Sequence, residues 1–431
     1  MAFNIKYPVL NENRNLRYFV FFYMYVMQGV PAGFALTAIV NYLSARGVTT
    51  TTVGTFIAIV GLPWILQFIW GPIIDRYQYS VIGHRKQWVV LAQFVAFLAS
   101  LSLLLINDPV NQLYLMTAAF FIHSIFASIQ DASVDAIAID IIEENERGRI
   151  NGFMRGGFLI GISIGAAILS TIIHTFGFFY AALGQSCFLL FFTIVTFFIK
   201  LDRHDSIFPS RRLGVFTKKI HHNPNLNVLF KKLFQAISRV DSLKSFLTIA
   251  LIYFLVSVFF RSYSFHLIHI LKWPDQELSV LQGSVGSIAV VVVALSGGIL
   301  ADRMGPKRLL FMVMLFICSF LLAFSAMAQF WIFKSFTSSG LVLLNMADPL
   351  ISVAAMPLLM SLCVKEIAGS QFTAYMAMVN LCDVVGSYVS GWSITLITAP
   401  AIGLICGLIL LTVILFIYAH NNRSILVYKY K

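Results

Sequence analysis

Long apolar segments separated by short polar ones occupy most of this chain of 431 residues. An α-helix crosses a bilayer with about 17–25 apolar residues, and helices are expected because backbone polar groups in lipid must be paired within their own segment. We therefore predict an all-α membrane protein with twelve membrane-spanning helices. The segments lie near 18–43, 53–74, 87–106, 112–138, 150–173, 178–199, 245–270, 279–300, 309–330, 337–363, 370–397 and 402–419.

Composition supports a membrane location. The chain is 59% hydrophobic and 11% charged, with a mean hydropathy of +0.85, whereas a soluble domain carries about 25% charged residues. The net charge of +12 does not indicate nucleic-acid binding, because the basic residues lie in short loops between apolar segments. The five cysteines fall inside apolar segments without metal-ligand spacing, so we expect neither a metal nor another cofactor.

The distribution of basic residues predicts the orientation. If the first segment begins on the cytoplasmic side, the inside loops and tails hold 25 of the 30 Lys and Arg residues. The outside loops then hold only Arg46, Lys272 and Lys334. This asymmetry is the positive-inside pattern. We expect a multi-pass protein of the cell inner membrane with both termini in the cytoplasm.

One long polar segment divides the chain. Residues 200–244 carry ten Lys or Arg and three Asp, including the pairs Lys218-Lys219 and Lys231-Lys232. We predict an N-terminal six-helix half at 1–199, a basic cytoplasmic linker at 200–244 and a C-terminal six-helix half at 245–431. The linker is either a plain connection or an amphipathic surface helix that touches anionic membrane lipids.

A short motif occurs twice, each time at the end of an apolar segment. Its glycine permits close helix approach, and its aspartate can accept hydrogen bonds from the N-terminus of a neighbouring helix. Its basic residues can pair with acids or with lipid. We predict that both copies form a gating latch. The residues are Gly71, Asp75, Arg76 and Arg85 in the first copy and Gly298, Asp302, Arg303, Lys307 and Arg308 in the second.

Six spans, a basic linker and six further spans, with this motif in each half, resemble the layout of the major facilitator superfamily. The resemblance implies two similar halves and alternating access, in which the protein opens first to one side of the membrane and then to the other. The motif occurs with solutes of every kind, so it says little about the substrate. Residues that the two halves do not share are better candidates for specific chemistry.

Ionisable residues inside the predicted spans are functional candidates, because charges in a bilayer are costly. Asp131 and Asp135 lie four positions apart, on one face of the fourth span. Asp135 and Arg155 are equally far from the next turn, which favours a structural ion pair between them. Asp131 is then left beside a second carboxylate, where a proton can be exchanged. We predict that Asp131, with Asp135, is the proton-coupling site.

The second half contains Arg261, Asp348 and Asp383 near the predicted middle of the membrane. Arg261 suits a carboxylate or phosphate through paired hydrogen bonds, or it forms an ion pair with one of the two acids. Asp348, Asp383 and nearby Tyr263 are further candidates for binding the substrate. Gln28 precedes a glycine- and proline-containing stretch of the first span, which is either a break at a substrate site or a packing kink.

Several stretches resemble acetyl-CoA transporters and AmpG-type muropeptide permeases. They are Tyr25-Val26-Met27-Gln28-Gly29-Val30-Pro31, Gly61-Leu62-Pro63-Trp64, Gly83-His84-Arg85-Lys86-Gln87-Trp88 and Gln130-Asp131-Ala132-Ser133-Val134-Asp135-Ala136. The resemblance implies proton-driven import of a sizeable, often anionic solute, such as a muropeptide or, in related permeases, a siderophore. It also adds Gln130 to the candidate substrate ligands. Gln67 departs from that pattern, since it occupies a position where lysine is common.

The leading hypothesis is therefore a proton-coupled importer that works as a monomer on a small-molecule substrate. An exporter of drugs or metabolites has the same fold, and the direction of transport is not encoded in these motifs. A membrane-embedded acyltransferase would need a nucleophile with a base or a metal cluster, and the sequence shows no such motif. A receptor without transport is a third alternative. We expect no enzyme activity.

Overall fold

The computed structural model describes residues 8–207, 225–273, 281 and 285–429. The described chain is helical, with short 3₁₀ and π segments and an isolated parallel bridge between Val9 and Lys200. In chain order the helices used below are α1 Arg14–Ile39, α2 Thr52–Arg76, α3 Lys86–Leu105, α4 Leu113–Ile141, α5 Glu144–Phe176, α6 Phe178–Phe198, α7 Leu226–Ile237, α8 Val240–His269, α9 Val285–Met304, α10 Pro306–Ala326, α11 Lys334–Leu362, α12 Lys365–Leu396 and α13 Ala399–Ala419.

Within the described residues, eleven of these helices are long and apolar enough to cross a membrane. They coincide with eleven of the twelve predicted spans to within a few residues at most ends, so those predictions are confirmed. Helix α9 occupies the place of the eighth span, whose residues 279, 280 and 282–284 lie outside the described residues. The predicted pair Lys218-Lys219 also lies outside them, whereas Lys231 and Lys232 fall on α7.

The chain forms two compact units. The first comprises Met1–Glu144, Phe153–Arg239 and Met360–Ala377. The second comprises Asn145–Gly152, Val240–Leu359 and Met378–Lys431. Each unit thus combines a long run of helices with one short segment from elsewhere in the chain, and these two short segments carry the motif contacts described below.

Glycines bring α1 and α5 into close contact within the first unit. Gly29 and Gly33 of α1 face Gly157, Gly161 and Gly165 of α5, and a Cβ at Gly161 would lie 2.5 Å from the carbonyl oxygen of Val26. A larger residue at this crossing would push two backbones apart. Small residues are a common means of bringing membrane helices together.

Helix α1 is continuous through the stretch that follows Gln28. Pro31 lies inside the helix, and residues Phe34–Ile39 form a π-helical segment immediately after it. The wider turn compensates for the amide hydrogen that proline lacks. The structure thus shows a continuous helix at this stretch rather than a broken one.

The start of the linker is attached to the N-terminal segment of the first unit. The amides of Leu10 and Asn11 donate to the carbonyl oxygens of Lys200 and Leu201 at 2.9 and 3.1 Å. Arg203 also forms an ion pair with Glu12. These contacts fix residues 200–203 against the first turns of the chain.

Helix α7 lies in the predicted linker and packs within the first unit. Leu229 and Ala236 are buried beside Ile367, in a small cluster that Leu226 and Val364 extend. A spacing of seven residues places Leu229 and Ala236 on one side of the helix. The linker is therefore more than a plain connection at this point.

Candidate functional site

Two carboxylates are buried side by side along α4. Asp131 and Asp135 expose only 8% and 4% of their surface. Their spacing of four residues places them on the same face of the helix, as the sequence predicts. Buried acids are costly unless they are paired or hold a proton, so the identity of their partners decides what this site can do.

The partners of this acid pair are uncharged. The side-chain amide of Gln67 donates to Asp131 at 2.8 Å and to the carbonyl oxygen of Ser128 at 3.4 Å. The hydroxyl of Tyr25 donates to Asp135 at 2.6 Å and also lies near Asp131. Amides and hydroxyls can both donate and accept. They can therefore bond either the ionised or the protonated carboxyl group.

A local distortion turns Gln67 toward α4. Pro63 lies inside α2, and residues Leu66–Ile69 form a 3₁₀ turn before the helix resumes at Trp70. Such a tighter turn changes the direction in which its side chains project. The result is a buried Gln67, 1% exposed, in a span whose neighbouring residues are mostly exposed.

Gln28 completes the cluster in an unusual way. Its side chain is 3% exposed and lies near Asp131. Neither its amide nitrogen nor its amide oxygen has a partner of hydrogen-bonding geometry within the described part of the chain. Leaving such a group unsatisfied costs about 1–3 kcal/mol. Gln130, in contrast, donates to the carbonyl oxygen of Met24 at 3.2 Å, which joins α4 to α1.

The ion pair between Asp135 and Arg155 stays a prediction. The donor that the structure shows at Asp135 is the Tyr25 hydroxyl. The guanidinium of Arg155 lies 5.9 Å from the ring centroid of Phe158, within reach of a cation–π contact. Sequence reasoning did not find Tyr25 as a partner, because residue counts give depth in the membrane but not the direction of a side chain.

Arg261 and Asp383 form an ion pair within the second unit, with 2.9 Å between a guanidinium nitrogen and a carboxylate oxygen. Ser257 donates to the same carboxylate at 2.6 Å. The two charged side chains are 45% and 54% exposed, so the pair is accessible. Of the two acids considered for Arg261, the structure thus shows Asp383; Asp348 is half-buried in the first turn of a neighbouring helical segment, Ala347–Leu362.

Tyr263, a predicted substrate ligand, lies in the core of the second unit. Its side chain is fully buried, and its hydroxyl donates to the carbonyl oxygen of Thr337 at 2.9 Å. Its ring packs against Phe324 and Trp331 at centroid distances of 5.3 and 4.9 Å. Its predicted role in binding the substrate stays a prediction.

In the first motif copy, Asp75 caps a helix that follows almost 300 residues later. Its carboxylate accepts hydrogen bonds from the amides of Gly369 and Ser370 at 3.1 and 2.6 Å and from the Ser370 hydroxyl at 2.7 Å. These amides belong to the N-terminal turns of α12, where the helix dipole favours a negative charge. Gly71 allows the approach, since a Cβ there would lie 2.6 Å from the Cα of Ser370.

Arg85 connects Asp75 to a second acid, Asp140, which the sequence analysis did not place in the site. It is fully buried and donates to Asp75 at 2.9 Å, to Asp140 and to the carbonyl oxygen of Lys365 at 3.2 Å. His84 also contacts Asp140, at 2.8 Å. Arg76 takes no part in this cluster and instead lies 5.4 Å from the ring centroid of Tyr77.

The second copy repeats the arrangement in the second unit. Asp302 accepts hydrogen bonds from the amides of Gly148 and Arg149 at 2.7 and 3.0 Å and from the Arg149 side chain at 2.7 Å. Gly298 faces Gly148 directly: a Cβ on Gly298 would lie 2.5 Å from the carbonyl oxygen of Gly148.

The remaining basic residues of the second copy differ from Arg85. Arg303, Lys307 and Arg308 are exposed, around the turn at Gly305. The two copies thus share the glycine and the capping aspartate, while the buried arginine is found only in the first of the two described clusters.

The family model for the Major Facilitator Superfamily matches residues 18–387. The chain belongs to this superfamily. This membership makes it a multi-pass membrane transporter of a small-molecule substrate rather than an enzyme, as predicted, and it confirms the predicted fold class.

Relatives of the chain include permeases of the AmpG type. It is 23% identical over 371 residues to the anhydromuropeptide permease of Escherichia coli K12, covering 84% of this chain and 71% of that one. It is 26% identical over 278 residues to a chain of Rickettsia prowazekii named as transporter AmpG 3, covering 61% of this chain and 62% of the relative's length. The resemblance to AmpG-type permeases is thereby confirmed at the level of the family.

Solved structures show the same fold. The human organic anion transporter MFSD10 superposes with a TM-score of 0.67 at 14% identity, over 94% of this chain and 99% of that one. The proton:xylose symporter XylE gives 0.64 at 12% identity, over 94% and 96% of the two chains. At this level of identity the likeness extends to the architecture alone.

Proposed function

We propose that this protein is a proton-coupled secondary active transporter that imports a sizeable anionic solute, such as a muropeptide, by alternating access. The observation that carries the proposal is the buried acid pair Asp131 and Asp135 with uncharged partners. A buried carboxylate without a positively charged neighbour is not held in its ionised form, so it can bind a proton and lose its charge. Such a group can couple proton movement to a conformational change.

The partners of Asp131 support this assignment over a purely structural one. A lysine at position 67 would hold the carboxylate permanently ionised, but Gln67 can donate to the ionised form and accept from the protonated form. Gln28, whose side chain lies near Asp131, can bond this carboxyl group or a bound water in the same two ways. Asp131 is the proposed site of proton binding, and Asp135 with Tyr25 modulates it.

We place the solute near Arg261. Its guanidinium is exposed and held by Asp383, so a carboxylate or phosphate on the solute can compete with Asp383 for the same hydrogen bonds. The ion pair then keeps Arg261 oriented while no solute is bound. Gln28 and Gln130, in the N-terminal half, remain candidate solute ligands. In this structure the side-chain amide of Gln130 donates to a backbone carbonyl oxygen.

The motif clusters provide the gate. In the proposed cycle, the halves at 1–199 and 245–431 rock against each other, and the hydrogen bonds from the helix starts to Asp75 and Asp302 break and reform. The basic loops face the cytoplasm of a cell with an inner membrane, and the protein works as a monomer. The anhydromuropeptide permease relative favours a muropeptide over a siderophore or a coenzyme A ester as the solute.

The test is substrate-dependent proton uptake by the purified protein in liposomes. Anhydromuropeptide, a siderophore and a coenzyme A ester are each added outside, and the internal pH and solute content are followed. We expect one of them to acidify the lumen in step with its own uptake. Asp131→Asn should abolish accumulation driven by a pH gradient while keeping exchange of labelled for unlabelled solute.

The control is Asp108→Asn. Asp108 is exposed in a loop and accepts hydrogen bonds from the amides of Val110 and Asn111, which lower its pKa. It stays ionised near neutral pH, so its replacement should leave coupling intact. Full proton-driven accumulation by Asp131→Asn would refute the coupling site, and solute uptake without any proton movement would refute proton coupling altogether.

A further inference from the structure

Helix α7 has one face that is fixed to the protein. Leu229 and Ala236 are buried against Ile367. On an adjacent flank, the ammonium of Lys232 contacts the carboxylate of Glu366 at 2.6 Å. Two apolar contacts and an ion pair to the same short segment prevent the helix from turning about its axis. The direction of its other face is therefore defined.

That other face combines aromatic and basic residues. Phe230 and Phe234 are 53% and 75% exposed, and their spacing of four residues places them on one ridge. Lys231 is also exposed and lies about 100° around the helix from Phe230. A polar linker exposed to water alone gains nothing from two such phenylalanines, since each exposed ring forgoes about 1.5–3 kcal/mol of burial.

The helix lies beside the end of a candidate membrane span. It contacts the helical segment Trp70–Arg76, which is the last part of the candidate span α2. The tyrosines that follow this segment, Tyr77 and Tyr79, are 52% and 42% exposed. Aromatic side chains at the ends of spans are typical of the interface between lipid and water.

We propose that α7 is an interfacial helix that binds anionic phospholipid. Phe230 and Phe234 enter the boundary between headgroups and acyl chains, and Lys231 pairs with the lipid phosphate. This is the arrangement that amphipathic helices adopt at membrane surfaces. The linker of residues 200–244 carries ten basic and three acidic residues, which complements a negatively charged leaflet and opposes contact with the same surface of a second copy.

The test uses the purified full chain in neutral detergent micelles, to which phosphatidylglycerol or phosphatidylcholine is added in steps. We expect the unfolding temperature to rise with phosphatidylglycerol and to change little with phosphatidylcholine. Lys231→Ala should raise the phosphatidylglycerol concentration needed for half of this effect by about fivefold, the loss expected for one basic residue at a lipid surface. A double change of Phe230 and Phe234 to Ser should weaken the response to phosphatidylglycerol further.

The matched control is Lys272→Ala, which removes an exposed lysine from a loop predicted to lie at the other side of the membrane. It should titrate as the unchanged chain does. An equal response to both lipids, or an unchanged response of Lys231→Ala, would overturn the proposal. A dimer that the Phe230 and Phe234 changes dissociate with or without lipid would also overturn it, because a second copy would then cover this face.

Discussion

The side-chain amide of Gln67 donates a hydrogen bond to the carboxylate of Asp131 at 2.8 Å, from a 3₁₀ turn that interrupts α2. The contact joins two buried groups whose side chains are 64 positions apart in the chain. Because an amide can bond both forms of the carboxyl group, this contact is compatible with the proposed binding of a proton at Asp131.

Replacing Gln67 by Lys should therefore uncouple transport from the proton gradient. The ammonium group would stabilise ionised Asp131, so the pH at which uptake is half-maximal should move downward by about one unit or more. Gln67→Met is the control, since it removes the hydrogen bond without adding a charge and should keep accumulation. The measurement is uptake in liposomes between pH 5 and 8. An unchanged pH profile for Gln67→Lys would show that Asp131 is not the titrating group.

Arg85 should be essential for stability, whereas its motif neighbour Arg76 should not. Arg85→Ala leaves the buried Asp75 and the partly buried Asp140 without their shared cation, and breaking a buried ion pair such as that with Asp75 costs about 3–5 kcal/mol. Arg76→Ala loses one cation–π contact, worth about 0.5–1 kcal/mol at an exposed site.

Thermal unfolding in detergent compares the two variants of this pair, with Arg85→Lys as an intermediate that keeps the charge. Equal stability of Arg85→Ala and Arg76→Ala would contradict the buried cluster. Failure of Arg85→Ala to fold while Arg76→Ala folds normally would agree with it.

A leucine at Gly298 should prevent the second motif contact from closing. Any Cβ at this position overlaps the backbone of Gly148, so α9 must move away and Asp302 must lose its amide donors. We expect slower transport with normal membrane insertion. Gly54→Leu provides the control, because a Cβ at Gly54 meets nothing within 4 Å. Transport rates for Gly298→Leu and Gly54→Leu that agree within a factor of two would count against a gate at this crossing.

Arg261 and Asp383 should have opposite effects on solute binding. Arg261→Gln should weaken affinity for an anionic solute by about tenfold or more, since a hydrogen bond to a charged group contributes about 1.5–3 kcal/mol. Asp383→Asn should preserve or increase affinity, because it removes the competing carboxylate. Lys334→Gln is a matched control at another exposed basic residue. If the Asp383 and Arg261 variants weaken binding equally, the pair is structural.

The sequence predicted the positions of the spans more reliably than the directions of their side chains. Spans follow from hydrophobic length, and the capping of a helix start by Asp75 follows from the position of an acid at the end of a span. Tyr263 faces the core of the second unit, because the rotation of a helix about its axis depends on packing with other helices. Residue spacing within one segment does not encode that rotation.

The same limit explains the partners that were missed. Tyr25, Gln67 and Asp140 approach their acidic or basic partners from other segments of the chain, and uncharged groups such as Tyr25 carry no charge pattern to mark them. Arg85 was recognised as part of the motif, but its complete burial between two acids was not. The sequence contained one signal for this partner of Arg85: Asp140 follows Asp135 by five residues on α4.

The capping of the Gly369 and Ser370 amides by Asp75 has a consequence for biosynthesis. The first compact unit includes Met360–Ala377, so it is incomplete until most of the chain has been made. At about 5–20 residues per second, the ribosome adds the amide donors roughly 15 to 60 s after Asp75. Arg85, the other partner of the Asp75 carboxylate, has already been made during that interval. Asp302, in contrast, emerges when Gly148 and Arg149 already exist, so its contact can form at once.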